Sequence, residues 1–269
     1  GVVDLDTKEE DFITHLITTN AHSELLFFSD MGKAYKLKTF EIPEGKRATK
    51  GKSIMNFISL TESEKITSIL PMPKEAKGAP ELSLMMITKN GTGKKVAAKS
   101  FHEVRKSGLI AITLDKGDEL MSCSFVSKGD DVMVVTADGQ SIRFKESDIR
   151  EMGRNAAGVR AIKLGKDDVV ISADAVKKDA KDAMIFVMSA NGYGKKTPLK
   201  EYKVQGRGGS GILTAKVTDK TGALMGGKVV TEEHEEVVAM SKKSQVIRVD
   251  IKEIPSLGRQ TQGVRVMKL

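Results

Sequence analysis

The apolar pattern of this chain recurs as pairs of unlike strands. Five times an almost unbroken apolar run enters a polar turn, and a shorter strand follows in which apolar residues alternate with Lys or Arg. The pairs are LLFFSDMGKAYKL from Leu25, LMMITKNGTGKKV from Leu84, VMVVTADGQSIRF from Val132, MIFVMSANGYGKKT from Met184 and VVAMSKKSQVIRV from Val237. Asn90-Gly91, Asp138-Gly139 and Asn191-Gly192 accept the positive φ angles of tight hairpin turns, so each pair is predicted to be a hairpin. The fifth, with Lys243-Ser244, lacks that chemistry and is expected to turn less tightly. A second strand pair accompanies each unit: LDTKEEDFITHLIT, FISLTESEKITSIL, AITLDKGDELMSCSF, AIKLGKDDVVISADAV and AKVTDKTGALMGGKVV, each split by an acidic turn. Four short strands per unit make a blade.

Glycines mark the period. Gly1, Gly51, Gly108, Gly158, Gly211 and Gly263 are separated by 50, 57, 50, 53 and 52 residues, each in or beside a short loop that often carries cations. A period near fifty signals a propeller-like or solenoid array, so any function is expected to repeat around a ring. At 269 residues and 39% apolar content the chain can bury a substantial core. Aromatics are only 4% and Trp is absent, so Val, Ile, Leu and Met carry that core, with the thirteen Met as gap fillers. Cys123 stands alone, which excludes an internal disulfide and fits a reducing cytoplasm. No apolar run nears the roughly 18 residues of a membrane span, and the acidic stretch from Gly1 to Asp11 does not read as a signal peptide.

Charge narrows the function. The net charge is +8 and the pI about 9.3, which points to an acidic partner. Acids gather in the second turns: Asp6 to Asp11, Glu62 to Glu64, Asp115 to Glu119, Asp167 with Asp168, and Asp219. Cations gather at the hairpins and glycine loops. They are Lys33, Lys36 and Lys38 with Lys46, Arg47, Lys50 and Lys52; Lys94 and Lys95 with Arg105 and Lys106; Arg143 and Lys145 with Arg154 and Arg160; Lys195 and Lys196 with Arg207; and Arg248 with Arg259 and Arg265. On superimposable blades these would form one basic band, with an acidic band elsewhere. Such a band suits duplex DNA, because phosphate contacts that release counterions can offset the roughly 1 to 6 kcal/mol needed to bend 20 to 30 bp. A glycine beside the cations would also let backbone N–H groups approach a phosphate as a small anion nest.

The loop from Gln205 to Gly211, QGRGGSG, fits the pattern Q-x-R-G-G-x-G and follows NGYGKKTPLKEY. It closely resembles the box motif of the C-terminal domain of the bacterial DNA gyrase A subunit. EEDFITHLITTNAHSELLFFSDMGKAYKLKTFEIPE, GDELMSC, IRFKESDIREMGRNAAGVRAIKL and IPSLGRQTQGVRVMKL agree, so the resemblance covers essentially all of residues 1–269 as a single domain. It implies an all-β, six-bladed β-pinwheel that exchanges strands between neighbours and here has an incomplete first or last blade. It implies DNA wrapping with a positive, right-handed crossing that supports negative supercoiling by the holoenzyme. Gln205, Arg207, Gly208, Gly209 and Gly211 match the box, though in a late copy. The family's principal box belongs to the first blade and would end at Gly1. The loop GKRATKGK from Gly45 departs from the box and reads as a phosphate contact.

The expected partners are double-stranded DNA, the gyrase A N-terminal core and gyrase B in an A₂B₂ holoenzyme, with no membrane, and the isolated domain is expected to be a monomer. ATP and Mg²⁺ are expected elsewhere in that holoenzyme, with no cofactor in this chain. Its location would be the bacterial cytoplasm, at the nucleoid. Catalysis within the chain is not expected. Tyr35, Tyr193 and Tyr202 occupy hairpin and loop settings suited to packing, and His15, His22, His102 and His234 lack metal-ligand spacing. NGTGKK from Asn90 and NGYGKK from Asn191 fail the P-loop pattern and read as hairpin turns with phosphate-facing lysines. Two alternatives stand beside this reading: the equivalent domain of topoisomerase IV, and a propeller that serves as a protein-interaction scaffold.

Overall fold

The structure is a computed structural model that describes residues 24–42, 57–73, 81–234, 236–240 and 246–267. Among the described residues the regular elements are β-strands and short 3-10 turns. The strands are β1 (Glu24–Ser29), β2 (Lys33–Lys38), β3 (Ile66–Pro71), β4 (Ser83–Thr88), β5 (Thr92–Ala97), β6 (Leu109–Ile110), β7 (Leu120–Val126), β8 (Asp131–Thr136) and β9 (Gln140–Lys145). They continue as β10 (Val159–Arg160), β11 (Val170–Val176), β12 (Met184–Ser189), β13 (Tyr193–Pro198), β14 (Ile212–Leu213), β15 (Leu224–Val230), β16 (Glu236–Met240), β17 (Val246–Asp250) and β18 (Val264–Arg265). Four sheets have the orders β3-β1-β2-β6, β7-β4-β5-β10, β11-β8-β9-β14 and β15-β12-β13-β18, and β16-β17 is the hairpin of a fifth.

Each complete blade takes its outermost strand from the next repeat. β6 follows the second hairpin yet pairs with the first, through Lys33↔Ile110 and Ala34↔Leu109, and β10, β14 and β18 repeat this step. The fold is therefore all-β and propeller-like with exchanged strands, as the resemblance implied. Gly1, Gly51 and the turn of the fifth hairpin lie outside the described residues.

The first strand of each hairpin is apolar at nearly every position because neighbouring blades bury both of its faces. Leu84 and Met86 pack with Leu26 and Phe28 of the preceding blade, while Met85 and Ile87 pack with Val132 and Val134 of the following one. Burying each such side chain contributes about 1.5 to 3 kcal/mol relative to exposure. At the hub, β3, β7, β11 and β15 pack edge to edge. Small residues allow the approach and serine hydroxyls tie it: Ser122 Oγ donates to the Ala173 carbonyl (2.6 Å) and Ser172 Oγ to the Gly227 carbonyl (2.7 Å).

The hairpin turns are less tight than the dipeptides suggest. Three residues separate the strands in each of the four described turns, and only the glycine is left-handed: φ is +78° at Gly32, +90° at Gly91, +88° at Gly139 and +81° at Gly192. Each glycine N–H closes a four-residue turn onto the carbonyl of Ser29, Thr88, Thr136 or Ser189. The hydroxyl of that same Ser or Thr accepts the N–H that restarts the second strand, at 3.1 to 3.4 Å. This is a three-residue loop ending in a left-handed glycine, and Ser/Thr-x-x-Gly is its signature. The glycine also has no room for a side chain, since a Cβ on Gly192 would lie 2.2 Å from the Met267 carbonyl oxygen of the exchanged segment.

Candidate nucleic-acid interface

Between its hairpin and its exchanged strand, each repeat from the second to the fifth runs a loop along the outer edge of the preceding blade. The loop ending at Gly158 meets β5 by a bridge between Glu151 and Lys95 and rejoins it where Val159 pairs with Gly93. The loops ending at Gly211 and Gly263 make the same start at Phe144↔Gln205 and Lys196↔Ser256. These loops form the rim, opposite the hub strands. In these three loops the residue two before the closing glycine is an anchor, because its carbonyl accepts an N–H of the preceding repeat: Thr113 to Ala156 (3.4 Å), Lys163 to Gly209 (2.8 Å) and Lys216 to Thr261 (3.0 Å).

The rim glycines have a mechanical purpose. Gly108, Gly158, Gly211 and Gly263 have φ between +76° and +95°. A Cβ on Gly211 would lie 2.0 Å from the Ser141 carbonyl oxygen, and on Gly263 2.7 Å from that of Gly194. Their lack of a side chain serves strand exchange, where the sequence suggests a phosphate nest.

Many of the predicted DNA-binding cations are engaged within the ring, which corrects the picture of uniformly phosphate-facing side chains. Lys94 and Lys195 are 0% and 1% exposed. The Lys94 ammonium donates to the carbonyls of Ala111 (3.0 Å) and Arg154, and Lys195 to those of Gly258 (2.6 Å) and Arg259 (2.9 Å) and to Thr261 Oγ1 (3.0 Å). The next strand position reaches the turn that follows the neighbouring hairpin. Lys95 pairs with Glu146 (2.6 Å) and Lys196 donates to the Ile251 carbonyl (2.8 Å). Arg143 pairs with Asp131 (2.9 Å) while donating to the Leu199 carbonyl (2.9 Å), and Lys36 pairs with Glu24 (2.8 Å) and donates to the His102 carbonyl. The physical reason is that strand exchange creates blade interfaces crowded with backbone carbonyls, and a long cation can reach them.

The rim arginines share one geometry. Arg154 donates to the Ile110 carbonyl (3.1 Å), Arg207 to that of Arg160 (3.0 Å) and Arg259 to that of Leu213 (3.0 Å), in each case the second residue of the preceding exchanged strand. Arg207 Nε also donates to the Asp148 carbonyl (3.0 Å), yet its side chain is exposed. Arg154 and Arg259 are half-buried, and Arg259 lies over the Tyr202 ring. Gly208 N–H donates to the Ala161 carbonyl (2.6 Å) and Gln205 N–H to that of Arg143 (2.7 Å).

Lys38, Arg105, Lys106, Lys145, Arg160, Arg207 and Arg265 stand exposed, and Lys33 is half-buried. Lys46, Arg47, Lys50 and Lys52 lie outside the described residues, as does the side chain of Arg248. Sequence reasoning missed a further exposed set. Lys99, Lys200 and Lys252 each occupy the second residue of the 3-10 turn that follows an outer strand. Their shared register, two residues past each hairpin, was the signal.

The acidic turns close against the hairpin turns, away from the start of the rim loops. Asp118 Oδ1 accepts the N–H of Asn90 (2.9 Å), Asp168 Oδ1 that of Asp138 (3.0 Å), and Glu119 pairs with Lys89 (3.0 Å). Asp138 is raised above the usual carboxylate range by burial and then by Asp168 and Asp167. The tyrosines pack inside: Tyr35 donates to Glu64 (2.8 Å), and Tyr202 shares a hydrogen bond with Thr214 (2.6 Å). Burial, reinforced by Glu64, holds the Tyr35 phenol well above its ordinary value. Among the described residues no group of three His, Cys, Asp or Glu side chains could hold a metal ion, and no helix is long and apolar enough to cross a membrane.

A ring of strand-exchanged blades with cationic loops along its outer edge defines a propeller-class domain of the pinwheel type. Comparison with known proteins then gives the family. The model described as "DNA gyrase C-terminal domain, beta-propeller" matches residues 23–71, 83–127, 130–177, 183–231 and 235–269, and the chain belongs to that family. The DNA gyrase A protein of Staphylococcus epidermidis is 37% identical over 269 residues, covering 100% of this chain and 30% of that protein. The DNA gyrase A protein of Escherichia coli is 37% identical over 261 residues, covering 97% of this chain and 29% of that protein. The chain thus spans less than a third of these curated relatives. A solved DNA gyrase A C-terminal domain superposes with a TM-score of 0.79 at 26% identity, covering 93% of this chain and 80% of that one. The C-terminal domain of DNA topoisomerase IV shares the fold, with a TM-score of 0.81 at 23% identity over 98% of this chain and 81% of that one.

Proposed function

We propose that this chain binds duplex DNA and bends it around its rim, as the wrapping domain of a bacterial DNA gyrase A protein. The observation that carries the reading is an exposed cation set beside consecutive rim glycines: Arg105 with Lys106 and Arg207 in rim loops, and Arg160 and Arg265 on the exchanged strands that follow. Because exposed cations accompany one rim glycine after another, a duplex can meet them in turn. Each neutralised phosphate releases counterions and lowers the slope of log K against log salt by about 0.9. Contacts of this kind position a duplex and carry no base information.

In this reading a positive, right-handed wrap presents a DNA segment to an enzyme core elsewhere, and strand passage there yields negative supercoils. The core, gyrase B, ATP and Mg²⁺ belong to the rest of an A₂B₂ holoenzyme in the cytoplasm, and this chain contributes no catalytic group. The test is topological. The chain is incubated with nicked plasmid, the nick is ligated, the protein is removed and the linking number is measured. A positive shift is expected, together with affinity that grows with duplex length and falls steeply with salt. Affinity independent of both length and salt would instead support a protein scaffold. The matching fold of the topoisomerase IV domain supports a second reading, in which DNA binds without a positive shift.

A further inference from the structure

The rim loops rest on different supports. The third residue of each outer strand lies beneath the rim loop of the next repeat, and it is Tyr35, Lys94, Ile142 and Lys195 in turn. Over Lys195, three acceptors of one loop converge on one ammonium, from Gly258, Arg259 and Thr261. Over Lys94, the ammonium joins the Arg154 carbonyl to that of Ala111. Over Ile142 no such donor exists. The loop Gln205 to Gly211 lies there on an apolar side chain, which approaches to within 3.8 Å of where a Cβ on Gly209 would stand. Gln205 Oε1 is buried there without a hydrogen-bond partner. That loop is held by the N–H groups of Gln205 and Gly208, by the Gly209 carbonyl and by Arg207.

We propose that Lys94 and Lys195 are positioning residues that fix the rim loops at Arg154 and Arg259, and that the Gln205 loop between them, lacking such a support, adapts its shape when a ligand engages the rim. Its consequence for DNA rests on the wrapping reading; the difference in stiffness does not. Two rigid loops would set the curvature of the path, and one compliant loop between them would adjust to it.

Burial pushes both lysines down to about 8, with Arg154 beside Lys94 adding to the effect. Around Lys195, Glu201 opposes the effect and Arg259 adds to it. The sign for loop opening follows from linkage. An open loop hydrates the ammonium and restores its ordinary value of 10.5, so opening takes up a proton between pH 8 and 10.5. Opening therefore becomes harder as pH rises through that window, by up to about 300-fold.

The test is amide hydrogen exchange of the chain from pH 7 to 10, for wild type, Lys94→Met and Lys195→Met, with intrinsic exchange divided out. At pH 8, Lys195→Met is expected to raise exchange at Gly258 to Gly263 at least about tenfold, and Lys94→Met to do so at Arg154 to Gly158. Exchange at Gln205 to Gly211 should stay unchanged in both. In wild type, protection of the Gly258 loop should rise with pH relative to the Gln205 loop, and this trend should vanish in Lys195→Met. Unchanged loop exchange, or the same pH trend in the Met variant, would overturn the assignment. The DNA arm uses a random duplex long enough to span several blades, on which Lys195→Met should bind several-fold more weakly. Equal affinity despite a loosened loop would overturn the positioning role, whereas a wild-type chain that binds no DNA would sink the wrapping reading and leave the exchange result standing.

Discussion

Hub and rim are built from the same repeats by opposite means. At the hub, β3, β7, β11 and β15 come from the repeat whose hairpin they join, and small side chains with serine bonds bring their backbones together. At the rim, β6, β10, β14 and β18 are borrowed from the following repeat, and long cations hold the borrowed loops in place. The hub therefore joins neighbouring blades by close strand packing and serine bonds, while the rim joins them by exchanging strands. The same cations that would attract phosphate also carry the ring's mechanical ties, so a lysine's presence on an outer strand says little about its availability to a ligand.

Substitutions at the two places should separate these roles. The largest effect is expected for Gly211→Ala, which would put a Cβ 2.0 Å from the Ser141 carbonyl oxygen at a φ of +76°. A loss of about 3 kcal/mol or more is expected in urea denaturation, from left-handed strain together with displaced backbone. A near-neutral result would remove strand exchange as the reason for the rim glycines.

Arg207→Ala comes next. It removes a guanidinium that is exposed and also bonded to Asp148 and Arg160. DNA affinity should fall alike on all sequences, with the salt slope reduced by about 0.9, and a loss confined to some sequences would contradict a phosphate role. A smaller effect is expected for Ser172→Ala, which deletes the hub bond to Gly227. Stability should drop by about 1 kcal/mol with DNA affinity unchanged, and weaker DNA binding would show that the hub is not independent of the rim. The smallest belongs to Gly226→Ala, a hub glycine with open space around it. Its effect should stay within about 0.5 kcal/mol; a cost like that of Gly211 would erase the contrast.

Much of the architecture is legible in the sequence because blades are built from local pattern. The apolar runs at Leu25, Leu84, Val132 and Met184 lie on β1, β4, β8 and β12, and the cation-bearing strands follow as β2, β5, β9 and β13. The turns fall where the pattern puts them but are looser than Asn-Gly suggests, since the Ser or Thr three residues before the glycine sets their length. Among candidate site residues, Lys94 and Lys145 read alike in sequence, each on an alternating strand. Lys145 is exposed and Lys94 is sealed inside. Lys94 meets its acceptor, the Arg154 carbonyl, only because the following repeat folds back over the blade.

The sequence by itself determined the repeat, the hairpins, the acidic and basic segments and the periodic glycines, because periodic hydrophobicity and turn chemistry act over a few residues. Tertiary structure alone decided which cations face solvent and which hold neighbouring blades together. A buried ammonium is stable only where several carbonyls converge on it, and that convergence arises from strand exchange between residues some sixty positions apart, such as Lys195 and Gly258.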